Sequence, residues 1–169
     1  MKGRAGPGLS FIRPKESQSM PQPVLPAEGG CRCGALRIRI DAGPIMTAAC
    51  HCKGCQRMTG SAFSLTAMIP SPGFRVLQGE PVQGGLRDPV QQHMFCPHCL
   101  SWVFTRIAGM DDFVNLRATM LDDAQWFQPF IETFTAEKLA WATVPARHSF
   151  EGFPPPESYG PLMAEFAAA

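Results

Sequence analysis

A chain of 169 residues, 45% of them hydrophobic, has the material for one domain with an ordinary core. Its net charge of +1 carries no basic run, which excludes a binder that works by neutralising nucleic-acid phosphates. No apolar stretch approaches the ~20 residues of a membrane span, and the 16 Gly and 17 Pro predict many turns and few long helices.

Residues 1–26 are rich in Gly, Pro, Ser and Gln, lack periodicity, and read as a flexible tail. Lys2 and Arg4 are not followed by the apolar stretch of a secretory signal. A cytoplasmic, reducing location is therefore expected, where thiols bind metal or do catalysis more often than they pair. Ala35–Asp41 alternates, with Leu36, Ile38 and Ile40 on one face and Arg37, Arg39 and Asp41 on the other, the pattern of a half-buried strand. Lys53–Met58 could form one helical turn. Short strands are expected at Ser64–Ile69, Phe74–Leu77, Gln92–Phe95, Trp102–Arg106 and Phe113–Arg117, punctuated by Pro70 to Gly73 and by Gly84-Gly85. Leu121–Phe127 could make a second helical turn, and Phe130–Phe134 gives a weaker strand signal. From Pro154 to Ala169 the chain reads as a C-terminal tail in which Leu162, Met163 and Phe166 could form a short docking helix. The sum is a mainly β domain over residues 27–153, with barrel and sandwich both open.

The seven cysteines fall in three clusters: Cys31 and Cys33; Cys50, Cys52 and Cys55; Cys96 and Cys99. Residues i and i+2 of an extended chain share a side, so Cys31 and Cys33 can reach one ion. Cys96-Pro97-His98-Cys99 has the spacing that wraps a turn around zinc. Structural zinc takes four ligands, whereas catalytic zinc keeps three and an open position. Four thiolates from Cys31, Cys33, Cys96 and Cys99 would clamp distant parts of the chain as a structural site. Cys50, Cys52 and Cys55 would then converge locally on a second zinc. Other partitions, such as one mixing the middle cluster with Cys96 and Cys99, satisfy the spacing too. So does a second structural zinc closed by His51, His93 or His98. His51 and His98 are expected to turn outward, and His93 to be a satisfied strand residue.

Gly29 to Gly34, Cys50 to Arg57, Gly60 to Phe63 and Phe95 to Cys99 resemble the glutathione-dependent formaldehyde-activating enzyme family, or CENP-V/GFA domain. The resemblance covers residues 27–153 and takes in every cysteine in order. It implies an Mss4-like fold of short antiparallel sheets organised around zinc. It also implies two zinc ions per chain, structural at Cys31, Cys33, Cys96 and Cys99 and catalytic at Cys50, Cys52 and Cys55, with permanent and labile occupancy of the second site both left open. The implied activity is that of a carbon–sulfur lyase acting on a thiol–aldehyde adduct such as S-(hydroxymethyl)glutathione, with a small-molecule thiol as partner. Arg57 is the candidate contact for a substrate carboxylate, through a bidentate fork. Two positions depart from the family pattern. Leu100 stands where Gly is common, so a different local turn is expected there, and Gln56 stands where Arg is common.

Two other functions compete. One is a non-catalytic binding or chaperone-like module, since an Mss4-like relative serves small GTPases and centromere protein V organises chromosomes. The tail has too few basic residues for a polybasic arm. The other is a redox role resembling methionine sulfoxide reductases, which needs a reactive cysteine outside the metal sets. The sequence carries no signal for an oligomeric state.

Overall fold

The computed structural model describes residues 19–169; for residues 1–18, the expected tail lies outside the described residues. In chain order the elements are β1 (Ala27–Gly30), β2 (Arg37–Ile40), β3 (Met46–Cys50), α1 (Lys53–Thr59), β4 (Ser64–Pro70), β5 (Phe74–Gln78), β6 (Val82–Gln83), β7 (Gln91–Phe95), β8 (Trp102–Ile107), β9 (Phe113–Arg117), β10 (Ile131–Thr133), β11 (His148–Ser149) and α2 (Tyr159–Ala168). Among the described residues the structure is mostly β with two short helices. No helix among the described residues is long and apolar enough to cross a membrane.

Strands β1, β2 and β5 form a three-stranded antiparallel sheet. The other eight form a sheet in the order β11-β10-β3-β4-β9-β8-β7-β6. It is mixed, because β10 runs parallel to both β3 and β11. The alternation of β2 has a direct cause. Leu36, Ile38 and Ile40 point into the core against Ile69, Val103, Phe104 and Leu116 of the larger sheet, while Arg37 and Arg39 stay half-exposed. Each such buried aliphatic side chain contributes about 2 kcal/mol. A second core gathers Met20, Met46, Phe130, Ile131, Leu162 and Phe166 beneath α2. Residues just ahead of β1 thus take part in packing, through Met20.

The expected helical turn at Leu121–Phe127 is not what forms. A short 3-10 turn occupies Ala118–Met120, and Leu121 makes a bridge to Gly29 of β1. Asp122 donates its N–H to Glu28 O at 2.9 Å and accepts from Arg37 Nη2 at 2.6 Å. Tertiary pairing with β1 overrides the local preference, and one turn survives at the end, where Phe127 N–H donates to Ala124 O. Gly29 permits this approach: a Cβ there would lie 2.0 Å from Met120 O.

Candidate metal centres

The β1–β2 connection carries Cys31 and Cys33, and the β7–β8 turn carries Cys96 and Cys99. Their four sulfurs lie within 4.8 Å of one another. Sulfurs bound at ~2.3 Å to a tetrahedral ion stand about 3.8 Å apart. Here Cys31 and Cys33 are separated by 3.5 Å and Cys33 and Cys96 by 3.8 Å, so the set fits zinc. None of the cysteines is in a disulfide. Leu36 N–H donates to Cys31 Sγ at 3.2 Å. Hydrogen bonding from the Ser101 hydroxyl, 3.3 Å from Cys99 Sγ, holds that thiol down to about 5. Bonds of this kind favour the thiolate, which is the form that takes a metal.

Leu100 keeps the turn at this cluster. Its φ is 58°, in the left-handed region that Gly would occupy freely, and its N–H donates to Cys96 O at 3.0 Å. The different turn expected from a non-Gly residue is therefore absent; the leucine bears the strain, at about 1 kcal/mol. Leu100→Gly is expected to raise the urea midpoint of the zinc-loaded protein by an amount worth up to about 1 kcal/mol, part of it lost to the freer unfolded chain. A lowered midpoint would show that the leucine side chain holds the turn.

The second cluster is local. Cys50 ends β3, Cys52 caps α1 and Cys55 lies in its first turn. The three sulfurs lie within 4.8 Å of one another. Cys55 N–H donates to Cys52 Sγ at 3.3 Å, and the Ser64 hydroxyl donates to Cys55 Sγ at 3.1 Å. The hydrogen bond from Cys55 pulls the Cys50 thiol down to about 5, and the same contact together with burial pushes Cys55 up. The cluster thus supports thiolate character on one sulfur while its neighbours hold protons. This is a soft donor set that suits zinc. Among the described residues no fourth Cys, His, Asp or Glu joins the three.

The histidines that could have closed the shell do not join it. His93 Nδ1 lies 2.9 Å from Thr105 Oγ1, and His98 is exposed. His51 does not turn outward, as its place between two ligands suggested. It is fully buried, 3.1 Å from Glu132 Oε2 of β10 and edge-on to Phe63. Glu132 also accepts from Lys138 Nζ at 2.6 Å and Ser149 Oγ at 2.7 Å. The carboxylate therefore fixes the Cys50–Cys52 segment to β10, the strand next to the β11 edge of the sheet. Gln56, the departure next to Cys55, serves the same end. Its amide donates to His51 O and, at 3.0 Å, to Glu137 O.

A pocket of about 400 Å³ opens beside this cluster, between α1, β4, β8 and β9. Phe63, Leu65 and Met120 are among its apolar walls and Ser64, Trp102 and Arg117 among its polar ones. Leu100 and Ser101 reach it from the first cluster's turn, and the second cluster borders it through Ser64 rather than lining it with a cysteine. Arg57 lies on the exposed side of the last turn of α1, outside the pocket lining. Arg117 carried no functional signal in the sequence, because nothing in a strand pattern announces that a terminal arginine is buried.

A family model described as "Glutathione-dependent formaldehyde-activating enzyme" matches residues 26–137. Among solved structures, the crystal structure of a Rhodobacter sphaeroides protein is 23% identical, over 56% of this chain and 87% of that one, with a TM-score of 0.44. No curated protein matches at a significant level.

Proposed function

The chain belongs to the glutathione-dependent formaldehyde-activating enzyme family, and from that premise we propose that it makes and breaks the carbon–sulfur bond of a thiol–aldehyde adduct such as S-(hydroxymethyl)glutathione. The observation that carries this is the three-thiol second cluster, with no fourth ligand among the described residues and a pocket at its side.

Cys31, Cys33, Cys96 and Cys99 would hold one zinc as a closed structural site, and Cys50, Cys52 and Cys55 would hold a second. Bound there, zinc supplies a means of deprotonating a substrate thiol and of polarising a carbonyl oxygen. The protein's own residues do the rest. Ser64 orients Cys55 through its hydroxyl. The His51–Glu132 contact and the Gln56 amide keep Cys50 and Cys52 in place. Phe63, Leu65 and Met120 line a space in which thiol and aldehyde are held together, the largest expected source of acceleration. The partner on this reading is a small-molecule thiol, glutathione among the candidates, and the setting is cytoplasmic.

The test is the exchange rate between free glutathione plus formaldehyde and their adduct, followed by NMR magnetisation transfer. Zinc-loaded protein should raise it above the spontaneous rate, and Cys52→Ser should return it to that baseline. No acceleration from protein with both sites full of zinc would sink the lyase assignment and favour a non-catalytic module.

A further inference from the structure

We propose that the pocket beside the second cluster contains an anion subsite, in which Arg117 takes the carboxylate of a short monocarboxylate thiol. Placing the thiol end there rests on the reading of the second cluster given above.

Arg117 closes β9 and is 7% exposed. Its guanidinium lies over the Trp102 ring, 4.1 Å from the centroid. Nη1 donates to Ser64 Oγ and Nη2 to Asn115 O, each at 3.3 Å. Nε is buried and has no hydrogen-bond partner among the described residues. A guanidinium has more N–H donors than these bonds use. Of the acidic groups, only the Cys55 and Cys50 sulfurs act on it electrostatically, and no Asp or Glu among the described residues pairs with it. Buried charges are ordinarily paired, so this is a cation with unused donors at the wall of a cavity.

The ligand's shape follows from Ser64. Its hydroxyl touches both Arg117 Nη1, at 3.3 Å, and Cys55 Sγ, at 3.1 Å. The cation and the metal-binding thiol are therefore one side chain apart. A ligand with its thiol at the cluster and its carboxylate on Arg117 needs only a short spacer. Phe63, Leu65 and Met120 suit methylenes in that spacer. The planar guanidinium matches the two oxygens of a carboxylate better than it matches an alcohol. Arg117 is the single charged residue of the lining, so a second charge on the ligand would find no partner inside.

The experiment is equilibrium binding to the zinc-loaded full chain at pH 7, by calorimetry, of 3-mercaptopropionate, 3-mercaptopropan-1-ol and propionate. The acid thiol should bind at least about tenfold tighter than the alcohol thiol, as expected for a charge-assisted pair. Propionate should bind more weakly than the acid thiol and compete with it. Arg117→Gln, with its zinc content and circular dichroism unchanged, should erase the preference for the acid. Because that variant removes a buried charge and could fold poorly, the wild-type ratio decides by itself. Equal affinity for acid and alcohol, or no binding of either, overturns the proposal, and equal affinity would assign the guanidinium to the cysteines alone. A folded Arg117→Gln protein that keeps the preference overturns it too. The preference and the adduct-exchange assay fail separately. An intact preference without exchange leaves the subsite and removes the lyase; exchange without the preference does the reverse.

Discussion

Replacing Cys96 with serine is expected to leave the first cluster without its metal and to unfold the domain in buffer or at low urea. Cys96 is fully buried, and its N–H donates to Ser101 O at the foot of the β7–β8 turn. Serine offers a poor zinc ligand and would leave a buried hydroxyl among thiols. The cluster links the β1–β2 connection to that turn across 63 residues, the separation of Cys33 and Cys96. It therefore ties the three-stranded sheet to the larger one. Structural zinc contributes roughly 10–16 kcal/mol in small domains, against a total stability of roughly 5–15 kcal/mol for an ordinary one. Losing one ligand removes enough of the first quantity to exhaust the second. Metal stoichiometry and a urea titration followed by circular dichroism measure both effects. Cys52→Ser is the contrast: its cluster spans one turn of chain, so that variant should lose the second metal and keep the fold. A Cys96→Ser protein with an unchanged midpoint would mean that the first cluster holds no structural metal.

Glu132→Ala is expected to destabilise the protein by about 3 kcal/mol at pH 7 and to weaken the second metal about 10- to 100-fold. The stability term comes from the groups left behind. Fully buried His51 and the largely buried Lys138 ammonium would lose their carboxylate, and breaking such a pair from one side is costly. His51 Nδ1 already lacks a partner among the described residues, so nothing nearby compensates. The metal term comes from position: His51 sits between Cys50 and Cys52, and supports behind a ligand set commonly change affinity by that factor. The pH dependence has a definite sign. Burial works against the Glu132 carboxylate, but the bonds from Lys138 and Ser149 overcome it and hold the group below the usual range. A carboxylate depressed in the folded state adds stability that is fully present above its unfolded pKa of about 4.3 and is lost as pH falls through the folded value. The gap between wild type and variant should therefore be widest near neutrality and close below about pH 4. Urea midpoints at a series of pH values, with zinc content measured alongside, check this. A gap under about 0.5 kcal/mol at pH 7 would show that the network is incidental.

Strands could be read in advance from alternation, as in β2, or from a run of strand-forming residues, as in β8, whose first four residues are all buried. β2 is the clearest, since its alternation records one dry and one half-wet side. β3 has no such record. It runs between β4 and β10 in the middle of the sheet, and its Met-Thr-Ala-Ala-Cys sequence of small residues alternates weakly because both faces are covered. β1 was hidden by Gly29 and Gly30, which disfavour strands in general but here permit the close approach to Met120. Leu121 looked helical on its own and became a strand partner because Gly29 was waiting for it.

At the site, the division follows range. Ligand chemistry, the C-x-C and C-x2-C spacings and the mainly β character were properties of short stretches, and the sequence by itself determined them. Which thiols meet was decided by tertiary structure, because the first set closes only when two turns far apart in the chain converge. The same holds for His51 and Arg117. Burial and a partner on a distant strand turned one from a surface residue into an anchor and the other into a buried cation at the wall of a pocket. Spacing encodes local geometry, but burial and charge balance are set by residues from many parts of the chain at once, so they exist only once the chain has folded.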